Sequence, residues 1–435
     1  MYKMSKNLRL TAIILMIVGA VGLIYSFIDA PSSVEEVQEM LAAEHHGDVD
    51  ASQTASAADA AQAKNDHEGS HADHVLTQLK NKPWTAIYTS TLFFFLLALG
   101  AFAFYTIQHA SQAGWSPVLF RVMEGISQYM LPGGIILFVL FVFSAFNMNQ
   151  IFIWMDPDIV ANDPVIAAKT GYLNVPFFLI RAIIYIGGWV LLSKMIIGNS
   201  RKLDNTPDMK LHKKNFKLSA IFLVFFIVTE SMMSWDWIMS IDTHWFSTLF
   251  GWYVFASMFV AGITAIALVT VYLKKLGYLD FVHSSHIHDL AKYMFAFSIF
   301  WTYLWFSQFL LIWYSNIPEE VTYYAARIQD YQLPFFGMLA LNFIFPTLIL
   351  MNSDFKRINW IVIFSGIIIL VGHYLNFYVM ISPGTVGASW FIGIPEISSI
   401  LLIAGLFIFV VFNAIGKVNL LPKNNPFLKE SKDFH

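Results

Sequence analysis

WTAIYTSTLFFFLLALGAFAFYTIQ, Trp84 to Gln108, contains no charged side chain. At 1.5 Å rise per residue, about 20 apolar residues suffice to cross the hydrocarbon layer of a bilayer. Only structures that satisfy their own backbone hydrogen bonds survive there, and an unbroken apolar run rather than an alternating one is the mark of a helix. Nine further runs of this kind follow the same reading: Leu8 to Ile28, Ile126 to Met148, Leu173 to Ile197, Phe216 to Met233, Thr248 to Leu273, Leu290 to Ile312, Leu333 to Met351, Asn359 to Met380 and Pro395 to Ile415. The chain is therefore expected to be an all-α integral membrane protein with ten transmembrane helices.

Outward from each run, the loops alternate in charge. One side receives Lys3, Lys6 and Arg9, then Arg121, then Arg201, Lys202, Lys210, Lys213, Lys214 and Lys217. It also takes Lys274, Lys275 and Lys292, then Lys356 and Arg357, then Lys417, Lys423, Lys429 and Lys432. The other side holds Lys64, Lys80, Lys82, Lys169 and Arg327 and collects most of the acids. Cytoplasmic loops carry the excess of Lys and Arg, which predicts both termini in the cytoplasm. The expected segments are 1-28, a first transmembrane helix; 29-83, an acidic periplasmic loop; 84-415, a nine-helix membrane region; and 416-435, a cytoplasmic tail. Ile28-Asp29-Ala30-Pro31 is a poor small-residue cleavage site, so the first run is read as a retained span and not as a signal peptide.

The chain of 435 residues is 57% hydrophobic and 13% charged, too few charges for ordinary soluble domains of this size. It has no cysteine, which removes thiolate-ligated iron–sulfur clusters and Cys-x-x-Cys-His haem attachment. His373 is the single histidine deep in a span, with His109 and His244 at or beyond span ends, so a haem held by two intramembrane histidines is not expected either. No covalently bound cofactor and no metal are expected on this chain. The loop 29-83 holds eleven acids against three lysines, a composition that cannot bury enough apolar surface to fold alone. It also contains His45, His46, His67, His71 and His74; the last three are spaced to share a helix face and bind a metal, or to be plain solvated residues.

An internal repeat is visible. IFIWMD (Ile151 to Asp156) precedes YLNVPFFLI (Tyr172 to Ile180), and LLIWYS (Leu310 to Ser315) precedes YQLPFFGML (Tyr331 to Leu339). Trp154 to Pro176 is 22 residues and Trp313 to Pro334 is 21. An offset of four spans preserves direction, which implies two parallel four-helix repeats, over about 126-273 and 290-415. Internal symmetry of this kind commonly places a site near the repeat interface.

The offset brings Glu230 and His373 to corresponding places in the fifth and ninth runs. Ionisable residues inside a membrane are costly and face protein or water. Arg181 lies inside the fourth run, with Glu230 as its natural counter-ion and Asp236, Asp242 and Glu396 at similar depth. Arg181, Glu230, Asp236, His373 and Glu396 are read as an outer polar cluster. Its chemistry admits two readings: a carboxylate or imidazole of shifted pKa relaying protons or taking one from a quinol, or an ion pair tying helices together. At the cytoplasmic end, His109, Glu124 and Lys194 are candidates for proton uptake, with lysine snorkelling as the simpler account. Trp and Tyr, Trp154, Trp235, Trp245, Trp313, Tyr314 and Trp390 among them, gather at the outer boundary as an interfacial belt or as the walls of a quinone mouth.

WDWIMSIDTHWFSTLFGWYVF (Trp235 to Phe255) and FWTYLWFSQFLLIWYSNIPEEVTYY (Phe300 to Tyr324) resemble the signature segments of the quinone-interacting membrane subunits of bacterial alternative complex III, in the NrfD or polysulfide-reductase membrane-subunit superfamily. The resemblance extends over nearly all ten runs. It implies two four-helix bundles with two peripheral helices, in the bacterial inner (cytoplasmic) membrane as a multi-pass protein. It implies a subunit of a quinol:electron-acceptor oxidoreductase, acting on quinone or menaquinone and passing electrons to a cytochrome c or a terminal oxidase. Iron–sulfur clusters and haem c then belong to partner subunits, an iron–sulfur protein and c-type cytochromes, beside a second NrfD-like subunit, with no nucleic acid involved. Two other classes remain: a secondary transporter with parallel repeats, and a purely structural membrane anchor for periplasmic electron carriers. A transporter would bind solute at midplane, yet the chain lacks obvious Gly/Pro-broken helices in matching midplane positions; Pro132-Gly133-Gly134 is unpaired by the repeat.

Overall fold

The computed structural model describes residues 2–38, 59–388 and 391–434, with the backbone alone for 59–71 and 74. His45, His46, His67, His71 and His74, the candidate metal group, therefore lie outside the described side chains, as does Trp390. Among the described residues, ten helices are long and apolar enough to cross a membrane: α1 Lys6–Ile28, α2 Asp59–Ala110, α3 Pro117–Ala145, α4 Val175–Leu203, α5 Met209–Ile241, α6 Phe250–Lys275, α7 Ser284–Ser315, α8 Gln332–Leu350, α9 Asn359–Ile381 and α10 Ile394–Ile415. The protein is an all-α multi-span membrane protein. An even number of crossings puts both termini at one face, called here the terminal face.

The acidic loop, read as unable to fold alone, is helical where it adjoins the second span. The crossing part of α2 is Val75–Ala110, and its described residues run back as helix to Asp59, with Pro83 inside. Starting a helix is the costly step and extending one is not. The Ala-rich segment before Trp84 is therefore extended from a span that the membrane already stabilises.

Contacts among the helices close two rings. α2, α3, α4 and α5 pack in sequence, with α5 returning to α2; α6, α7, α8 and α9 do the same, with α9 returning to α6. The bundles therefore begin one span earlier than the repeat boundaries at 126 and 290 imply. The reason lies in α2 and α6, which are apolar on all sides. In each, 89% of the crossing window is buried, against 22% to 56% for the other eight. A helix hydrophobic all round belongs in a core, and these two form the seam between the bundles. Gly100 and Gly262 permit the approach: a Cβ on Gly100 would meet the Met258 carbonyl, and one on Gly262 would meet the Ala101 amide.

Helices α1 and α10 are peripheral. They pair closely with each other, and α10 rests on α2 and α3. Gly19 faces the backbone at Leu402, and Gly405 faces the Ala12 carbonyl at 2.8 Å from where a Cβ would stand. Small residues at such a crossing let the backbones meet without a hydrophobic driving force.

Candidate functional site

Helix α5 carries a buried stripe of Phe222, Phe226, Thr229, Glu230, Met233, Asp236 and Trp237 into the first bundle. Arg181 on α4 meets this stripe at Asp236, not at Glu230. Its Nε and Nη2 donate to the two carboxylate oxygens at 2.7 and 3.0 Å, and Nη1 donates to the Tyr172 carbonyl at 3.2 Å. Tyr185 adds a hydroxyl donor to Asp236 at 3.2 Å. The guanidinium lies over the Tyr172 and Phe177 rings, 4.0 and 4.1 Å from their centroids. The expectation of an Arg181–Glu230 pair is corrected: a bidentate, planar match to Asp236 uses the fork of donors that Arg carries.

The second bundle repeats the device with different partners. Arg327, on the short helix Pro318–Gln329, donates from Nε to the Val379 carbonyl at 3.1 Å and from Nη2 to the Met380 carbonyl at 3.2 Å. Nη1 donates to the Tyr323 carbonyl at 2.8 Å, and the guanidinium stacks 3.3 Å over the Tyr323 ring. Val379 follows His373 by the same six positions that separate Asp236 from Glu230. In both bundles, then, an arginine stacked on a tyrosine closes the end of the helix that bears the buried titratable group. Asp242, placed with the outer acids by sequence, is half-exposed and lies 3.9 Å from Arg327. Burial raises the Tyr323 hydroxyl above its ordinary pKa.

His373 is fully buried on α9. The Asn376 side-chain amide donates to Ser257 Oγ at 2.9 Å, and Ser257 Oγ lies 2.9 Å from His373 Nδ1. Tyr253 donates its hydroxyl to the Asn376 side-chain carbonyl. A serine oxygen that accepts from Asn376 has its own proton to give to Nδ1. Donated this way, the bond places the imidazole proton on Nε2, the ring nitrogen that has no hydrogen-bond partner among the described residues. The Trp301 ring meets the imidazole edge to face at 5.4 Å. On α8, residues Ala340–Ile344 form a π-helical turn just before Pro346, and Asn342 within it is fully buried with no partner for either side-chain polar atom. Proline withholds an N–H and crowds the preceding turn, and π-turns of this kind are frequent at functional sites. Asn342 packs against Gly372, next to His373.

Glu230 is 3% exposed, and its Oε1 accepts no hydrogen bond. No salt bridge reaches it among the described residues. Glu396 leaves the cluster: its carboxylate accepts the Gly393 amide at 2.8 Å and caps the start of α10. The five residues read as one outer cluster thus separate into an Arg181–Asp236 pair, a Glu230 without an ion-pair partner among the described residues, a His373 network in the other bundle and a helix cap.

At the terminal face, Arg121 and Glu124 are both fully buried and one turn apart on α3. Glu124 Oε1 accepts from Tyr105 at 3.0 Å and from Ser200 at 2.6 Å, and Arg121 reaches Glu124 at 2.6 Å and Asp204 at 2.6 Å. The His109 ring packs 4.6 Å from the Tyr105 and Phe120 rings. Lys194 is exposed and stands apart from this network. Arg121 and Asp204 carry no sequence signal beyond that of ordinary loop charges, and the structure alone brings them into it.

At the opposite face, between the α3–α4 and α5–α6 connections, Tyr172, Trp235, Met239, Trp245 and Phe246 line an apolar cavity of about 420 Å3. Lys169, which donates to the Thr243 carbonyl, stands at its margin, and burial lowers its ammonium pKa below the ordinary value. The chain matches no protein-family model and no curated protein.

Proposed function

We propose that this chain is an integral membrane subunit of a respiratory quinol:cytochrome c or quinol:oxidase oxidoreductase, most similar to the ActF-type membrane protein of bacterial alternative complex III, and that it holds protons while its partners hold electrons. It lies in the bacterial cytoplasmic membrane with both termini cytoplasmic, beside a second NrfD-like protein. The iron–sulfur clusters and c-type haems sit on partner subunits at the opposite face, quinone or menaquinone is the mobile carrier, and no redox centre is bound on this chain.

One observation carries the proton part of this reading. Each bundle has a buried titratable side chain, Glu230 or His373, with an unpartnered polar atom, on helices related by the repeat. Leaving such a group unpaired in a low-dielectric interior costs about 1–3 kcal/mol or more, so a purely structural anchor gains nothing by keeping two of them. A group that exchanges a proton with water or a neighbouring relay needs that open valence.

The test is isolation of the tagged chain from its native membrane in mild detergent. Co-isolated c-type haem and iron–sulfur spectra are expected, with quinol-dependent reduction of the haems. Glu230→Gln and His373→Gln are expected to leave assembly and spectra intact while slowing proton-coupled turnover. Isolation without redox partners overturns the complex; unchanged proton-coupled turnover in both variants overturns the proton role.

A further inference from the structure

A second cavity, of about 560 Å3, lies between the ends of α1, α2 and α3 on the face opposite the termini, and it belongs to neither bundle interior. Its wall is drawn from residues 27–32, 77–84 and 147–150. The volume falls within the range of small-molecule sites. Its floor is aromatic: Trp84 meets Phe27 edge to face at 4.9 Å and Phe143 at 5.6 Å, which ties α1, α2 and α3 together at this level. Its polar rim is fixed in place. Asn81 donates to the Gln150 carbonyl at 3.1 Å and the Thr385 carbonyl at 3.2 Å, and accepts from the Gln150 amide at 3.2 Å.

Among the side chains that line it, Lys80 is the one that carries a charge. Its ammonium is held by the Ser32 carbonyl at 3.1 Å and forms no salt bridge among the described residues; the Glu36 carboxylate takes the Ser32 amide instead, at 2.9 Å. Amides and a hydroxyl surround it, while Phe27 and Met148 carry the lining onto the apolar outer surface of the helices, where they are 38% and 56% exposed. A site with one cation, neutral hydrogen-bonding groups and an apolar exit at membrane-interface depth matches one class of molecule. We propose that the cavity holds a single phospholipid, with its phosphodiester on Lys80, its acyl chains leaving past Phe27 and Met148, and an uncharged hydroxylated headgroup of the phosphatidylglycerol type. The headgroup assignment follows from charge: among the described lining residues no carboxylate receives the ammonium of phosphatidylethanolamine. The lipid site is independent of the redox function proposed above.

The experiment uses the intact chain with its native partners in nanodiscs and a photoactivatable phosphatidylglycerol, with cross-linked peptides identified by mass spectrometry. Labelling is expected within 27–32 and 147–150, competed by unlabelled phosphatidylglycerol at least several-fold better than by phosphatidylethanolamine and not by inorganic phosphate. Lys80→Glu is expected to lower it at least several-fold; if that variant melts early, Lys80→Gln is read in its place. Labelling indifferent to both substitutions or to the headgroup means annular lipid and overturns the proposal. Competition by inorganic phosphate alone means a free-anion site, and protection of these peptides by a partner subunit means a protein occupant; either result also overturns it.

Discussion

Arg181 holds Asp236 by two parallel hydrogen bonds, Nε to Oδ2 at 2.7 Å and Nη2 to Oδ1 at 3.0 Å, with both side chains almost fully withdrawn from solvent. Breaking a buried pair by removing one partner typically costs about 3–5 kcal/mol, because the other charge is stranded. Asp236→Asn or Arg181→Met alone should therefore lower the detergent melting temperature sharply. Arg181→Met with Asp236→Leu should recover most of the loss. Glu230→Gln, which removes no ion pair, should not lower the melting temperature, and a drop as large as that of Asp236→Asn would refute the assignment of partners.

Ser257 is the hydrogen-bond partner of His373 Nδ1, at 2.9 Å. Ser257→Ala removes the donor to Nδ1 and frees the proton to sit on either ring nitrogen, so proton-coupled turnover should fall while assembly is retained. Ser298→Ala serves as the control, since the Ser298 hydroxyl has no partner and its loss strands nothing. Equal turnover in the two variants would detach the Tyr253–Asn376–Ser257–His373 chain from function.

The terminal-face network predicts its own pattern. Arg121→Met takes the close cation from Glu124, leaving it Arg201 at 3.7 Å, and takes the 2.6 Å partner from Asp204, a loss of about 3–5 kcal/mol by the same argument. Adding Glu124→Gln should restore much of it, and Lys194→Ala should be silent. Thermal melts of these variants distinguish this from a loop in which all these charges are interchangeable.

Acid should loosen the α3–α4 connection. Burial works to raise the Asp163 carboxyl, but the amides of Ile166 and Val165 and the His244 ring at 2.7 Å outweigh it and hold the pKa below the ordinary value. A carboxylate with a depressed folded pKa contributes stability that is complete above its unfolded pKa and disappears as pH falls through the folded one. Amide exchange at Val165 and Ile166, corrected for intrinsic rates, should accelerate over that acidic interval, and Asp163→Asn should make it pH-independent.

The ten crossings were legible because apolar length survives any error of a few residues at the ends. The site was less legible because those few residues decide it. The apolar run of α5 stops at Met233, which leaves Asp236 at the interface; the helix continues to Trp237 and carries Asp236 inside to Arg181. Likewise, the run of α3 begins at Ile126, whereas the crossing begins at Pro117, so Arg121 and Glu124 are helix neighbours and not loop charges. The Glu396 cap was readable from Gly393 and Glu396, three apart at a helix start. The frame of the repeat was not, because α2 and α6 have no polar face to reveal which neighbours they serve.

The contact between Gly100 and Gly262 is reciprocal: each sits against the backbone of the other's helix, on two spans that run in the same direction. Reciprocity of this sort is how an isologous dimer meets across a two-fold axis. The α2–α6 seam thus has the reciprocal contact of a dimer of four-span units joined end to end. A true dimer must place the same side chain at each equivalent position. Joining the halves removes that obligation, and a single polypeptide can keep a carboxylate at 230 in one half and an imidazole at 373 in the other while the seam between them remains that of a symmetric pair.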